Sequence, residues 1–133
     1  MKRMIGVVLL GGWIVFGSDV SYAHHSFGAS YFEDREQTIE GEIVEFMYRN
    51  PHSFVHIEAA DEKGMIQRWA VEWGGAAALG GQGVQRNTLK VGDEVIITGN
   101  PSRTPGDHRV KMNTFKRLSD GLTWGTRPGE VVD

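Results

Sequence analysis

The chain contains no cysteine. That excludes a disulfide scaffold, a thiolate zinc site, thiol catalysis, a haem attachment motif and a lipid-modified N-terminal cysteine. It also lacks a strong excess of either charge: 14 Lys+Arg stand against 17 Asp+Glu, a formal net charge of -3. A protein that holds nucleic acid by bulk electrostatics needs a basic domain, so nucleic acid is not an expected partner. Nor is there an apolar run of about 20 residues, the length a helix needs to cross a bilayer comfortably. With 133 residues there is room for one ordinary domain and not for a large multidomain enzyme. The 40% hydrophobic and 23% charged fractions are those of a folded globular protein. Eighteen glycines favour turns and bulges over long helices.

The N-terminus has the layout of an export signal. Met1-Lys2-Arg3 is a basic start, Met4 to Phe16 is almost wholly apolar, and Ser21 and Ala23 stand where a signal peptidase reads small residues. Residues 1–23 therefore read as a signal peptide cleaved after Ala23, which places the mature protein in the periplasm or outside the cell with no stable membrane anchor. The mature chain, 24–133, has 110 residues. Loss of Lys2, Arg3 and Asp19 leaves it more acidic, at a net charge of -4, and it keeps all five histidines. Without disulfides it must be held by its core, which a domain of about 100 residues can do.

Residues 24–37 form an N-terminal extended segment, 38–118 the domain proper and 119–133 a C-terminal tail. Thr38–Tyr48 is β-branched and aromatic, and its apolar phase shifts across Gly41, from Ile39 and Ile43 to Val44, Phe46 and Tyr48. This predicts a β-bulge at the glycine. Asn50-Pro51 signals a turn, Ser53–Ala59 a second strand, Asp61–Gly64 a hairpin loop and Met65–Trp73 a third strand with Trp69, Val71 and Trp73 in one phase, facing the core. Gly74–Val84 has room for a short helical turn near Ala76–Leu79, or only a loop, because each interior glycine costs up to about 1 kcal/mol relative to alanine. Val95–Gly99 and Arg109–Leu118 supply strands four and five. Three strands, a short connection and two strands make an all-β domain, a small five-stranded OB-like Greek-key barrel with a short helix or loop between strands 3 and 4. Another small barrel or sandwich with the same strand count is the alternative.

Cleavage after Ala23 exposes His24 as the new N-terminus, followed by His25. A terminal amine and the imidazole of the same residue chelate a metal as one unit, and a further histidine completes a three-nitrogen set suited to copper. His52, at the Asn-Pro turn, is the first partner for that set, and His56 a weaker one. On one extended strand these two stand about 13 Å apart and cannot share a metal directly. His108 is weaker still. Met47, Met65 and Met112 matter for Cu(I) only if exposed, and methionines of a small barrel belong first to its core. The competing readings are structural: a frayed His24-His25 terminus, and His52 capping its own turn.

Two other classes compete with these readings. Tyr48, Phe54, Trp69 and Trp73, with Arg49, Arg68, Arg103, Arg109 and Lys111, raise the aromatic, basic platform of nucleic-acid-binding OB barrels. The inward phase of the tryptophans and the offsetting Glu40, Glu42, Glu45, Glu58 and Glu72 argue against it. No catalytic constellation is legible. Ser26 and Ser53 neighbour histidines, but neither has a nucleophile-elbow context. The sequence thus points to a binding protein and not an enzyme, with a metal-free interaction module for a periplasmic protein or envelope glycan as the runner-up.

His24-His25-Ser26-Phe27 after the signal, Asn50-Pro51-His52, and Leu89-Lys90-x-Gly92-Asp93 leading to Val95-x-x-x-Gly99 resemble a family of small exported bacterial proteins catalogued as a domain of unknown function. The resemblance spans essentially the whole mature chain. It implies a periplasmic β-barrel without an assigned activity, and it pairs His24 and His25 with His52.

Overall fold

The computed structural model describes residues 27–125. Among these residues, after a helical turn at 27–30, the elements follow in the order β1 (Gln37–Met47), β2 (Phe54–Ala60), β3 (Ile66–Glu72), α1 (Ala76–Gly81), β4 (Glu94–Pro101), β5 (Arg109–Arg117) and β6 (Thr123–Trp124). The long β1 serves two neighbours. Its second half pairs antiparallel with β2, its first half with β4, and a parallel β3–β5 contact closes the sheet into a barrel. This is the five-stranded, OB-like arrangement expected from the strand order, with the short helix in its expected place. The two-residue β6 adds to the edge of β5, from within the segment read as a C-terminal tail.

Strand alternation fills the interior. Ile39, Ile43, Val55, Ile57, Trp69, Val71, Val95, Ile97, Val110 and Phe115 are all buried in one cluster, and the tryptophan phase of β3 faces inward as read. The bulge of β1 lies later than expected. The register with β2 slips between Ile43 and Glu45, while Gly41 pairs regularly. Gly41 answers a different need: a Cβ there would sit 2.0 Å from the Glu58 carbonyl oxygen, so only glycine permits the strands to approach. Where the chain enters β4, Gly92 adopts φ +92° and its N–H donates to the Ile43 carbonyl at 2.8 Å.

Residues before β1 are only partly extended. A helical turn covers 27–30, and Tyr31 then bridges to Ser102, the first residue after β4. Arg103 fastens this segment, its Nε–H reaching the carbonyls of Gly28 and Tyr31 at 2.7 and 3.0 Å. Tyr31 ends up 1% exposed, which makes the segment part of the fold.

Candidate functional site

The turn carrying His52 is built by the connection after β3. The Asn50–Pro51 peptide bond is cis. The Asn50 side-chain oxygen accepts from the Ala77 N–H at 3.1 Å, and the Arg49 carbonyl accepts from the Ala76 N–H at 3.0 Å. The start of α1 is thereby seated on the turn, since first-turn N–H groups have no partner within their own helix. Gly75 makes the contact possible: a Cβ there would meet the Pro51 carbonyl oxygen at 2.4 Å and Asn50 Oδ1 at 2.8 Å. Ser53 is fully buried, its hydroxyl donating to the Arg49 carbonyl at 3.1 Å.

So held, His52 faces Glu72 at the end of β3. Glu72 is 5% exposed and is the hub of a polar cluster on the outside of the barrel. Its Oε1 meets His52 Nδ1; its Oε2 accepts from the Tyr31 hydroxyl and from an Arg109 N–H at 2.6 Å. Burial alone raises a carboxyl pKa, but the bonds from Tyr31, Arg109 and His52 outweigh it and hold Glu72 below its usual value. Burial and the neighbouring carboxylate push the Tyr31 phenol up, so it stays protonated and donates. An ionised carboxylate only accepts, so the proton between His52 and Glu72 sits on Nδ1. When the ring is neutral, its lone pair is on the other nitrogen, Nε2, the form in which imidazole binds metals.

The opposite side of the imidazole is defined as well. Phe27 stacks on the His52 ring with centroids 5.3 Å apart and planes inclined by 20°. Lys111 Nζ lies 4.3 Å from the Phe27 ring centre, and the guanidiniums of Arg49 and Arg109 lie 5.5 and 5.4 Å from that of Phe54.

His56 and His108 are placed elsewhere. His56 Nδ1 lies 2.8 Å from Glu45 Oε2, which also accepts from Arg68 at 2.6 Å. His108 packs edge-on to Trp69 near the loop between β2 and β3. Met112 is buried, and Met65 is exposed at the β2–β3 hairpin. His24, His25 and Ser26 lie outside the described residues, as do the signal segment and 126–133. Among the described residues no three His, Asp or Glu side chains converge as a metal-ligand set. No helix among them is long and apolar enough to cross a membrane.

The sequence reading missed the rest of this cluster. In the sequence Glu72 resembles the outward glutamates that offset basic charge, yet Tyr31 and Arg109, 41 and 37 residues away, bury and bind it. The available signal was the tyrosine of the segment before β1, Tyr31, a residue type whose hydroxyl usually finds a partner when its ring is buried.

Fold and cluster together define a small OB-like β-barrel with a buried carboxylate hub beside a clamped histidine. Residues 13–111, about three-quarters of the chain, match the model of a family of unknown function, DUF6152, and the chain belongs to that family. No curated protein matches it. Among solved structures it is similar to the mitochondrial single-stranded DNA-binding protein Rim1 of S. cerevisiae, with a TM-score of 0.49 and 13% identity over 68% of this chain and 100% of that one.

Proposed function

We propose that this is an exported periplasmic protein, without enzymatic activity, that binds a transition metal, copper first, through His52 and the processed N-terminal residues His24 and His25. The observation that carries this reading is the fixed imidazole of His52. Glu72 holds Nδ1 and Phe27 covers one ring face, which leaves Nε2 as a directed nitrogen donor. A carboxylate behind a ligating histidine is the usual means of fixing its tautomer and orientation. His25 stands two residues before Phe27, a span of at most about 7 Å of chain, and this short tether to the ring stacked on His52 supports the N-terminal residues as the other donors.

Two features support a binding role over a catalytic one. The Ser53 hydroxyl is buried and committed to the turn. Glu72 has both oxygens engaged, which leaves it poorly suited to act as a general base.

Isothermal titration of the processed protein with Cu(II) tests the reading against three variants: His24→Ala, His52→Ala and one with a single extra residue before His24. The expected result is one site tighter than about micromolar, weakened in all three. Equal binding by all four proteins, or none at that affinity, rejects it.

The runner-up, a metal-free module for a protein or envelope glycan, is supported by Phe54 beside Arg49 and Arg109 and by Lys111 over Phe27, cations that would favour an anionic partner surface. It predicts that Arg49→Glu abolishes partner capture while copper has no effect.

A further inference from the structure

A second concavity lies away from His52, between the segment before β1, the β2–β3 hairpin and the loop joining β4 to β5. It is an open cleft of about 880 Å³. Trp69 and His108 contribute to its lining, with the imidazole edge-on to the indole at 4.9 Å between centroids. Phe32, Arg35 and Arg103 line it as well. Both guanidiniums rest on the one Phe32 ring, at 4.0 Å for Arg35 and 4.6 Å for Arg103.

Two cations sharing one small ring repel each other, and neither forms an ion pair among the described residues. Asp61, a carboxylate of the hairpin that lines the cleft, is committed elsewhere. Its Oδ1 accepts from the N–H groups of Lys63 and Met65, both at 2.9 Å, and its Oδ2 from the Gln67 amide at 3.1 Å. Those bonds, led by the one from Met65, keep it ionised and satisfied. Glu36, Glu62 and Asp107 also line the cleft, so its overall field is mixed and the selectivity must come from the guanidinium pair. Arg103 spends its Nε–H on backbone carbonyls, which fixes the plane of the group and leaves its terminal N–H groups to a ligand. Stacking on Phe32 restrains each guanidinium, and the planar fork of arginine suits the oxygens of an oxyanion better than the ammonium of lysine does.

We infer that this cleft is a second binding site, for a small molecule bearing a phosphate or carboxylate group, with the oxyanion held by Arg35 and Arg103 and the remainder of the ligand lying toward Trp69 and His108. The site is independent of the metal reading, because it shares no side chain with the His52 cluster.

The test is a titration of the processed, 15N-labelled protein at low ionic strength with inorganic phosphate in one arm and citrate in the other, followed by NMR. Saturable shifts at the Arg103 Nε–H and the Trp69 indole N–H are expected with at least one of the two, and the stronger arm identifies the oxyanion class. Arg35→Gln removes a group whose contact with the fold is the Phe32 stack, so it is expected to weaken binding about tenfold with the unfolding midpoint preserved. Arg35→Lys is expected to fall between the two. No saturable shift up to about 20 mM of either anion, shifts centred instead on Arg49 and Lys111, or equal binding by Arg35→Gln would each overturn the assignment.

Discussion

The Phe27 ring lies stacked on the imidazole of His52, 5.3 Å between centroids, although 25 positions separate the two residues in the sequence. The contact joins the segment preceding the barrel to the Asn-Pro-His turn between β1 and β2. It also fixes what Phe27→Ala does. Loss of the stack and of the Lys111 contact is expected to cost about 1 kcal/mol of stability. Copper affinity is expected to fall more, about tenfold, because the N-terminal donors lose their guide toward His52. Denaturant unfolding and copper titration on the same sample separate the two effects.

Glu72 carries a larger share of the fold. Glu72→Ala leaves Arg109, His52 Nδ1 and the Tyr31 hydroxyl without their common acceptor; the first two are partly exposed, and orphaning the buried hydroxyl is expected to cost about 1–3 kcal/mol. Glu72→Gln is milder in stability but changes the acceptor seen by His52. The 15N shifts of the His52 ring report this directly: an Nδ1–H tautomer in the wild type, and a mixture in the Gln variant.

Gly75 tests the support beneath the turn. In Gly75→Ala the new methyl group overlaps the Pro51 carbonyl oxygen and Asn50 Oδ1, so the turn or α1 must move. A loss of about 1–3 kcal/mol is expected, with weaker copper binding. Gly81→Ala is the control, since a Cβ there meets nothing within 4 Å and the helix gains propensity.

How much of this was legible in the sequence depends on the range of the contacts. The barrel was, because alternation and turn residues act locally: the inward phase of Trp69, Val71 and Trp73 follows from period two alone. The position of the β1 bulge was not. The glycine and the phase change pointed to Gly41, but Gly41 is there for the close pass of β2, and the slip lies at 43–45. The site was half legible. His52 drew attention through its turn. Its partner Glu72 resembled any outward strand glutamate, because the Tyr31 that buries it sits in a segment with no strand periodicity of its own.

Away from the site, Arg117 ties the end of β5 to the turn that follows. Its guanidinium bonds both oxygens of Asp120, at 3.0 and 2.8 Å, and reaches Asp93 at 3.0 Å. The bonds from Arg117, followed by the Leu122 N–H, lower the Asp120 carboxyl to about 2. A depressed carboxyl stabilises the fold above its unfolded value near 3.8 and loses that contribution as the pH falls toward about 2. A side-chain carboxyl NMR titration is expected to place Asp120 at about 2 in the wild type and nearer 3.8 in Arg117→Gln.

The copper site proposed above requires His52 to complete a nitrogen set begun by the processed N-terminus. Pulsed EPR of the equimolar Cu(II) complex reads it most directly, because remote imidazole nitrogens give countable modulation. Coordinated imidazoles are expected in the processed protein and one fewer in His52→Ala, with the directly bound nitrogens falling likewise in the continuous-wave spectrum. An unchanged nitrogen count in His52→Ala would contradict it, since copper would then sit on the N-terminal residues alone and the clamped histidine would have no part in the site.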